Sequence, residues 1–156
     1  MSLQKVKDYF AQFHLANRII ELNESSATVA LAAQALHVNE ARIAKTMSFL
    51  VGEQVILIVT AGDTKIQNGR YKKEFGKKAK MLAYDQTEEL VGHAPGGVCP
   101  FAIKDDVKVY LDESLKRFET VFPACGSGNS AIELTIVELE QYSHFEKWVD
   151  VCQIIS

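Results

Sequence analysis

Apolar positions recur along this chain in two rhythms, and the switches between them mark out its elements. Val6, Tyr9, Phe10 and Phe13 fall at i, i+3, i+4, i+7, one face of a 3.6-residue period, and predict an amphipathic helix over roughly residues 2–14. "RIIEL", 18–22, reads as a short strand. Val29, Ala32, Ala33 and Leu36 predict a second helix, with Ser25 or Ser26 as its cap, and Asn39 is placed to cap a short third helix running through Ile43 towards Lys45. The rhythm then changes. "TMSFLV" and "QVILIVTA" are β-rich runs separated only by Gly52-Glu53, the pattern of a hairpin.

Beyond the hairpin, "GDTKIQNGRYKKEFGKKAK" reads as a loop, a short helix and a basic segment, and "KMLA" as a short strand. Asp85 and Glu88 have capping-box spacing, and Gly92 stands where that helix would end. "VKVYLD" predicts a strand, followed by a helix near 112–117 and the β-like "FETVFP". The loop "ACGSGN" leads into a β-like "SAIELTI", Thr135 and Glu138 open a capped helix to about Tyr142, and "WVDVCQI" reads as one closing strand. Strands and helices are interspersed around at least one hairpin, so a mixed α/β fold with peripheral helices fits better than a strictly alternating doubly wound one. No repeat or low-complexity linker interrupts residues 1–156, which read as one domain.

Composition narrows the class. Hydrophobic residues make up 47% and charged residues 24%, ordinary for a soluble globular chain. No apolar run approaches the ~18 residues of a membrane span, and "MSLQKVKDYFAQFHL" carries charges where a signal peptide would have its apolar core. Cys99, Cys125 and Cys152 are odd in number and far apart, which fits reduced thiols in a cytoplasmic protein better than a disulfide framework. The net charge of −3 argues against a nucleic-acid coat, yet Arg70, Lys72, Lys73, Lys77, Lys78 and Lys80 fall within "RYKKEFGKKAK" against a single Glu. That segment is either a track for phosphates or a solvated, lysine-rich helix and turn.

The chemistry concentrates in "GHAPGGVCPF", Gly92 to Phe101, which holds three of the nine glycines and two of the three prolines. Gly96-Gly97 lets a ligand approach main-chain N–H groups, and Pro95 and Pro100 stiffen both flanks. A stiff loop presenting N–H donors can hold a developing oxyanion; the plainer alternative is a tight turn. Cys99 with His93 is a second option, a thiol nucleophile attacking an ester or thioester. "GSGNSA", Gly126 to Ala131, formally matches a dinucleotide fingerprint but leads into a β-like run too late in the chain for that fold. The four histidines are scattered without metal-ligand spacing, so neither a metal nor a cofactor is expected.

Taken together with "RIAKTMSFLV" and "ACGSGNSAIEL", the loop resembles the YbaK/ProX family, free-standing relatives of the editing domain inserted in bacterial prolyl-tRNA synthetases. The resemblance runs over nearly the whole chain: a lysine before the first hydrophobic strand (Lys45), "LIVTAGD", a helix, Gly92, Gly96, Gly97 and Pro100 in a G-x-x-x-G-G-x-x-P loop, and a late glycine turn. It implies a strongly curved mixed sheet and hydrolysis, in trans, of the ester linking a wrong amino acid to the 3′ end of a tRNA. By the same resemblance Lys45 matches an essential lysine, Gly96 and Gly97 line the substrate carbonyl, and Gly126, Ser127 and Gly128 form a second loop at the pocket rim. The acceptor end of a mischarged tRNA is then the partner, with a synthetase as a further source of tRNA choice.

These roles make physical sense. An aminoacyl ester is already activated, so orienting a water or a substrate group and stabilising the oxyanion suffices. A protonated Lys45 can anchor a phosphate or sugar or stabilise the anionic transition state; acting as a base would need its pKa lowered by burial. Thr46, Val98 and Cys99 are expected to shape the amino-acid pocket, and His93 either contacts the terminal nucleotide or caps the preceding helix. A small pocket suits alanine, cysteine, serine or proline, although one methylene discriminates by only ~1–3 kcal/mol. Two other readings stay open: a non-catalytic binding member of the same fold, and a hydrolase dependent on Cys99.

Overall fold

The computed structural model describes residues 2–155. In chain order the α-helices are α1 (Ser2–Ala11), α2 (Val29–Leu36), α3 (Asn68–Phe75), α4 (Thr87–Val91) and α5 (Ile136–Ser143). The strands are β1 (Ile19–Glu21), β2 (Ile43–Val51), β3 (Gln54–Ala61), β4 (Thr64–Ile66), β5 (Lys108–Asp112), β6 (Thr120–Pro123), β7 (Ser130–Ile132), β8 (Leu134–Thr135), β9 (Trp148–Val149) and β10 (Cys152–Ile154). Six of them form a curved mixed sheet in the order β8-β6-β2-β3-β5-β9, and β1-β7 and β4-β10 make two small antiparallel pairs. The expected mixed α/β class is the one found. Among the described residues no helix is long and apolar enough to cross a membrane.

The β2–β3 hairpin is the spine of the sheet. Gly52 opens its two-residue turn at φ +62°, an angle that costs glycine little. Val51 and Gln54 close the turn, and the antiparallel register then runs unbroken to Ala44 opposite Ala61. β3 is central and buried on both faces, which is why its sequence is an almost continuous apolar run. Val55, Leu57, Val59 and Ala61 join the main core with Val6 and Phe10 of α1 and Leu139 of α5. Ile56 and Ile58 face the opposite way, into a smaller core with Phe49, Tyr71 and Val151.

Local chemistry explains where the elements depart from the sequence pattern. α1 stops at Ala11 rather than near residue 14, because His14 turns left-handed (φ +62°) and Leu15 donates back to the Phe10 carbonyl. α2 is capped by Thr28, whose hydroxyl accepts from Leu31 N–H, and not by Ser25 or Ser26. Asn39 does cap, but only a 3₁₀ turn over Glu40–Arg42; the strand takes over at Ile43, so Lys45 lies in β2 and not at a helix end. The Asp85–Glu88 capping box does not form, since the residue capping α4 is Gln86, without a side-chain bond, while Gly92 ends the helix as expected (φ +107°). "KMLA" contributes a single bridge, Met81 to Phe49, and residues 113–117 are 3₁₀ rather than α.

The closing "WVDVCQI" is not one strand. Buried Asp112 accepts the Val151 N–H at one oxygen and the Ser114 N–H at the other, both at 2.9 Å. That draws Val151 out of the ladder and divides the segment into β9, beside β5, and β10, beside β4.

The Thr135–Glu138 capping box is present, and Glu138 also takes a two-pronged bond from Arg18 at 2.7 and 3.0 Å. The guanidinium holds the Glu138 carboxyl down to about 2, below the ordinary 4.5. A depressed carboxyl stabilises the fold above its unfolded value and loses that contribution as pH falls towards the folded one. Glu138→Gln keeps a capping side chain but removes the charge. Urea midpoints of the two proteins are therefore expected to differ most above about pH 4.5 and to converge by pH ~2.

Candidate active site

One edge of β2 has two partners and a gap between them. β6 lies parallel to it at Ile43 and Ala44. Further along, Leu50 donates to the Lys80 carbonyl (2.8 Å) and Leu82 donates to the Ser48 carbonyl (3.1 Å). Lys45, Thr46 and Met47 lie between these two attachments with no strand on that edge among the described residues. Backbone polar groups alternate sides along a strand. Since Ser48 and Leu50 point theirs away from β3, Thr46 at the same parity directs its N–H and C=O into the gap.

A pocket of about 420 Å³ opens there. Its floor is β2; its walls include the Ser26–Val29 turn, Pro95, Gly96 and Val98, and Met81 and Tyr84 stand on its rim. Most of the lining is apolar, with Ala32, Ile43, Leu82, Phe122 and Ala131 among it. Two hydroxyls are conspicuous: Ser26 Oγ and Thr46 Oγ1 are buried and lack a hydrogen-bond partner among the described residues, and both line this pocket. An unmet buried hydroxyl costs about 1–3 kcal/mol, a cost that a hydrogen-bonding group in the pocket would offset. Ser26 carried no signal in the sequence beyond its being a candidate cap.

Lys45 is half-buried at the same floor, its ammonium donating to the Thr64 carbonyl of β4. Burial lowers its pKa from the ordinary lysine value, against weaker raising influences from Cys152 and Asp63. No carboxylate or imidazole is among the residues that line the pocket.

The glycine loop divides its labour. Gly96 (φ +90°) lines the pocket, and its N–H has no acceptor among the described residues. Gly97 does not line it: its N–H is donated to the Ala94 carbonyl at 3.1 Å. A β-carbon on Gly97 would stand 2.6 Å from the Gly126 carbonyl carbon and the Ser127 nitrogen, so this residue is where two loops press backbone to backbone. Gly126 in turn meets the Ser2 carbonyl at the start of α1. Gly126, Ser127 and Gly128 therefore buttress the pocket from behind, through the Ser26 N–H bond to the Gly128 carbonyl (2.6 Å), rather than lining it.

His93, Cys99 and Pro100 lie in the protein interior, not at the pocket. His93 Nε2 is 2.6 Å from the Phe101 carbonyl and 3.5 Å from Cys99 Sγ, and burial lowers the imidazole pKa. The same burial pushes the Cys99 thiol up to about 12. A thiol fully enclosed and held neutral at physiological pH is no nucleophile, which removes the physical basis for Cys99-dependent hydrolysis. In the basic segment, Arg70 pairs with Asp150 at 3.4 Å, whereas Lys72, Lys73, Lys77, Lys78 and Lys80 are exposed and have no ion-pair partner among the described residues.

Residues 23–142 match the model of the aminoacyl-tRNA editing domain family. Over 154 residues, 98% of each chain, the protein is 53% identical to YwhH of Bacillus subtilis (strain 168), an uncharacterized protein. It is 28% identical over 105 residues, 65% of this chain and 63% of the other, to EbsC of Enterococcus faecalis, named as a candidate Cys-tRNA(Pro)/Cys-tRNA(Cys) deacylase. Among solved structures, a candidate trans-editing enzyme for prolyl tRNA synthetase superposes with a TM-score of 0.87 at 24% identity over 97% of both chains, a likeness of fold.

Two measurements check this geometry. Gly97→Ala is expected to lower unfolding free energy by about 1–3 kcal/mol in urea titrations, because neither facing backbone can retreat cheaply. For Lys45, a lowered pKa means that the unfolded chain binds more protons just below pH 10.5. The stability of the wild type relative to Lys45→Met should therefore rise as pH climbs through that interval, and a flat difference would contradict the burial of the ammonium.

Proposed function

The chain belongs to the aminoacyl-tRNA editing domain family, and on that premise we propose that it is a trans-acting deacylase of mischarged tRNA, clearing small amino acids such as alanine or cysteine from tRNA(Pro). The observation that carries this reading is the gap in the β2 edge, where a half-buried lysine, an inward-facing strand N–H and two unpartnered hydroxyls meet one small pocket. The ester carbonyl lies against the Thr46 and Gly96 N–H groups, which hold the oxygen as it becomes anionic. A water attacks the carbonyl carbon, the bond from that carbon to the sugar oxygen breaks, and the proton the water gives up replaces the one Lys45 passes to the departing oxygen. Lys45 stabilises the resulting anion, and burial loosens its proton for the departing sugar oxygen. Ser26 and Thr46 hydroxyls hydrogen-bond the aminoacyl group, and the apolar walls limit its size.

The same pocket in a non-catalytic member would bind an aminoacyl nucleotide without cleaving it. Acting on tRNA, the protein works in the cytoplasm beside a prolyl-tRNA synthetase.

The test is deacylation of tRNA(Pro) charged with Ala, Cys or Pro, with Ser- and Thr-charged tRNAs as comparators. One misacylated species is expected to be cleared well above the spontaneous rate. Lys45→Ala, still folded by circular dichroism, is expected to lose on the order of 10²–10³ in kcat, the scale of one transition-state contact. Ser26→Ala and Thr46→Val should change the ranking among amino acids more than the best rate. Clearance by none of the charged tRNAs, with binding retained, would leave the non-catalytic reading.

A further inference from the structure

Tyr84 is the most exposed large hydrophobic residue described, at 79%, and it stands on the rim of the pocket beside Met81, exposed at 58%. Aromatic rings left in water on a rigid backbone are informative when they adjoin a binding site. The backbone here is rigid. Lys80 and Leu82 are bonded to β2, and the Ala83 carbonyl accepts both the Gln86 N–H (3.0 Å) and the Thr87 hydroxyl (3.1 Å), fixing the 3₁₀ turn that begins at Tyr84. The ring is thus presented and not tucked in: it makes no aromatic pair and its hydroxyl makes no hydrogen bond among the described residues.

Charge gives the surface a direction. Preceding the rim in the chain, Lys77, Lys78 and Lys80 are exposed and have no ion-pair partner among the described residues, and the same holds for Lys72 and Lys73 on α3. On the C-terminal side, Asp85, Glu88 and Glu89 are exposed and acidic. A polyanion reaching the pocket is drawn over the lysines and repelled from α4.

We propose that Tyr84 and Met81 form a stacking platform for the terminal nucleobase of a single-stranded RNA 3′ end, whose phosphates run back over Lys80, Lys78 and Lys77. This rests on the deacylase reading for the ester that enters the pocket, but the platform is defined by the nucleic acid alone. Every base has a π face, so stacking holds the end without reading sequence, and the lysines supply an affinity that falls with salt. The platform fixes the last sugar at the pocket mouth and thereby sets how deep its aminoacyl group reaches.

The experiment is fluorescence anisotropy with an uncharged acceptor-stem hairpin ending in single-stranded CCA, and with the same RNA carrying an abasic 3′ terminus. Tyr84→Ala is expected to weaken binding of the intact RNA by about 5- to 100-fold, with Tyr84→Phe and Tyr84→Trp close to wild type. Against the abasic RNA, wild type and Tyr84→Ala should bind alike. Replacing Lys77, Lys78 and Lys80 together by Gln should flatten the salt dependence by about two to three in the log–log slope, while Asp85→Asn should not weaken binding. Equal affinity of wild type and Tyr84→Ala for intact RNA overturns the proposal, as does a Tyr84→Ala loss that persists with the abasic end. The two readings fail separately. RNA stacking without ester hydrolysis removes the deacylase, and hydrolysis with an indifferent Tyr84 removes the platform.

Discussion

Everything about the pocket depends on β2 being paired at both ends of one edge and bare in the middle. A strand edge with unmet N–H and C=O groups is ordinarily a hazard that proteins cover or charge. Here the exposed stretch is only Lys45 to Met47, too short to template another strand. β6 and the Lys80–Leu82 segment clamp its two ends. The hairpin register decides what the gap contains. With Val51 opposite Gln54 at the turn, Thr46 turns its N–H and C=O into the gap, and a slip of one residue would put the polar groups of Lys45 there instead and turn every side chain over.

That arrangement needs walls that do not move, and glycine packing supplies them. Ala27 touches the positions where Gly96 and Gly128 would carry side chains, Gly97 abuts Gly126, and Gly126 abuts the Ser2 carbonyl. Three loops from distant parts of the chain and the first turn of α1 thus lock together at van der Waals contact. The double glycine that draws the eye in "GHAPGGVCPF" has two jobs: Gly96 shapes the cavity, and Gly97 lets a neighbouring loop come close enough to hold it still.

Short-range signals in the sequence were mostly sound. The hairpin at Gly52, the Thr135–Glu138 box and the Gly92 stop each rest on contacts within a few residues, and they stand in the structure. What escaped reading depends on distant partners. Lys45 looked like a helix end because Asn39 caps a turn that lasts three residues before β6 and β3 claim the chain. "WVDVCQI" looked like one strand because nothing local reveals that Asp112, 39 residues away, takes the Val151 N–H. Of the expected pocket residues, Lys45, Thr46, Pro95, Gly96 and Val98 do meet at one cavity. Gly97, His93, Cys99, Pro100 and the 126–128 turn lie behind it. Ser26 and Tyr84 had no motif to mark them; burial without a partner and exposure without a reason are properties of the folded state alone.

Desolvation separates the two candidate reactive groups of this fold. At Cys99 it is complete: the residue is fully buried and the thiol is raised to about 12, so burial leaves an inert packing residue beside His93 and Phe101. At Lys45 it is partial: the pKa falls, yet the residue lines the pocket and its ammonium donates to the Thr64 carbonyl. Burial favours the neutral form in both cases. For a thiol the neutral form is the unreactive one. For a lysine, a weaker hold on the proton makes the ammonium a stronger acid. The same loss of water thus acts in opposite senses on the reactivity of the two groups, and of the two residues it is Lys45 that lines the pocket.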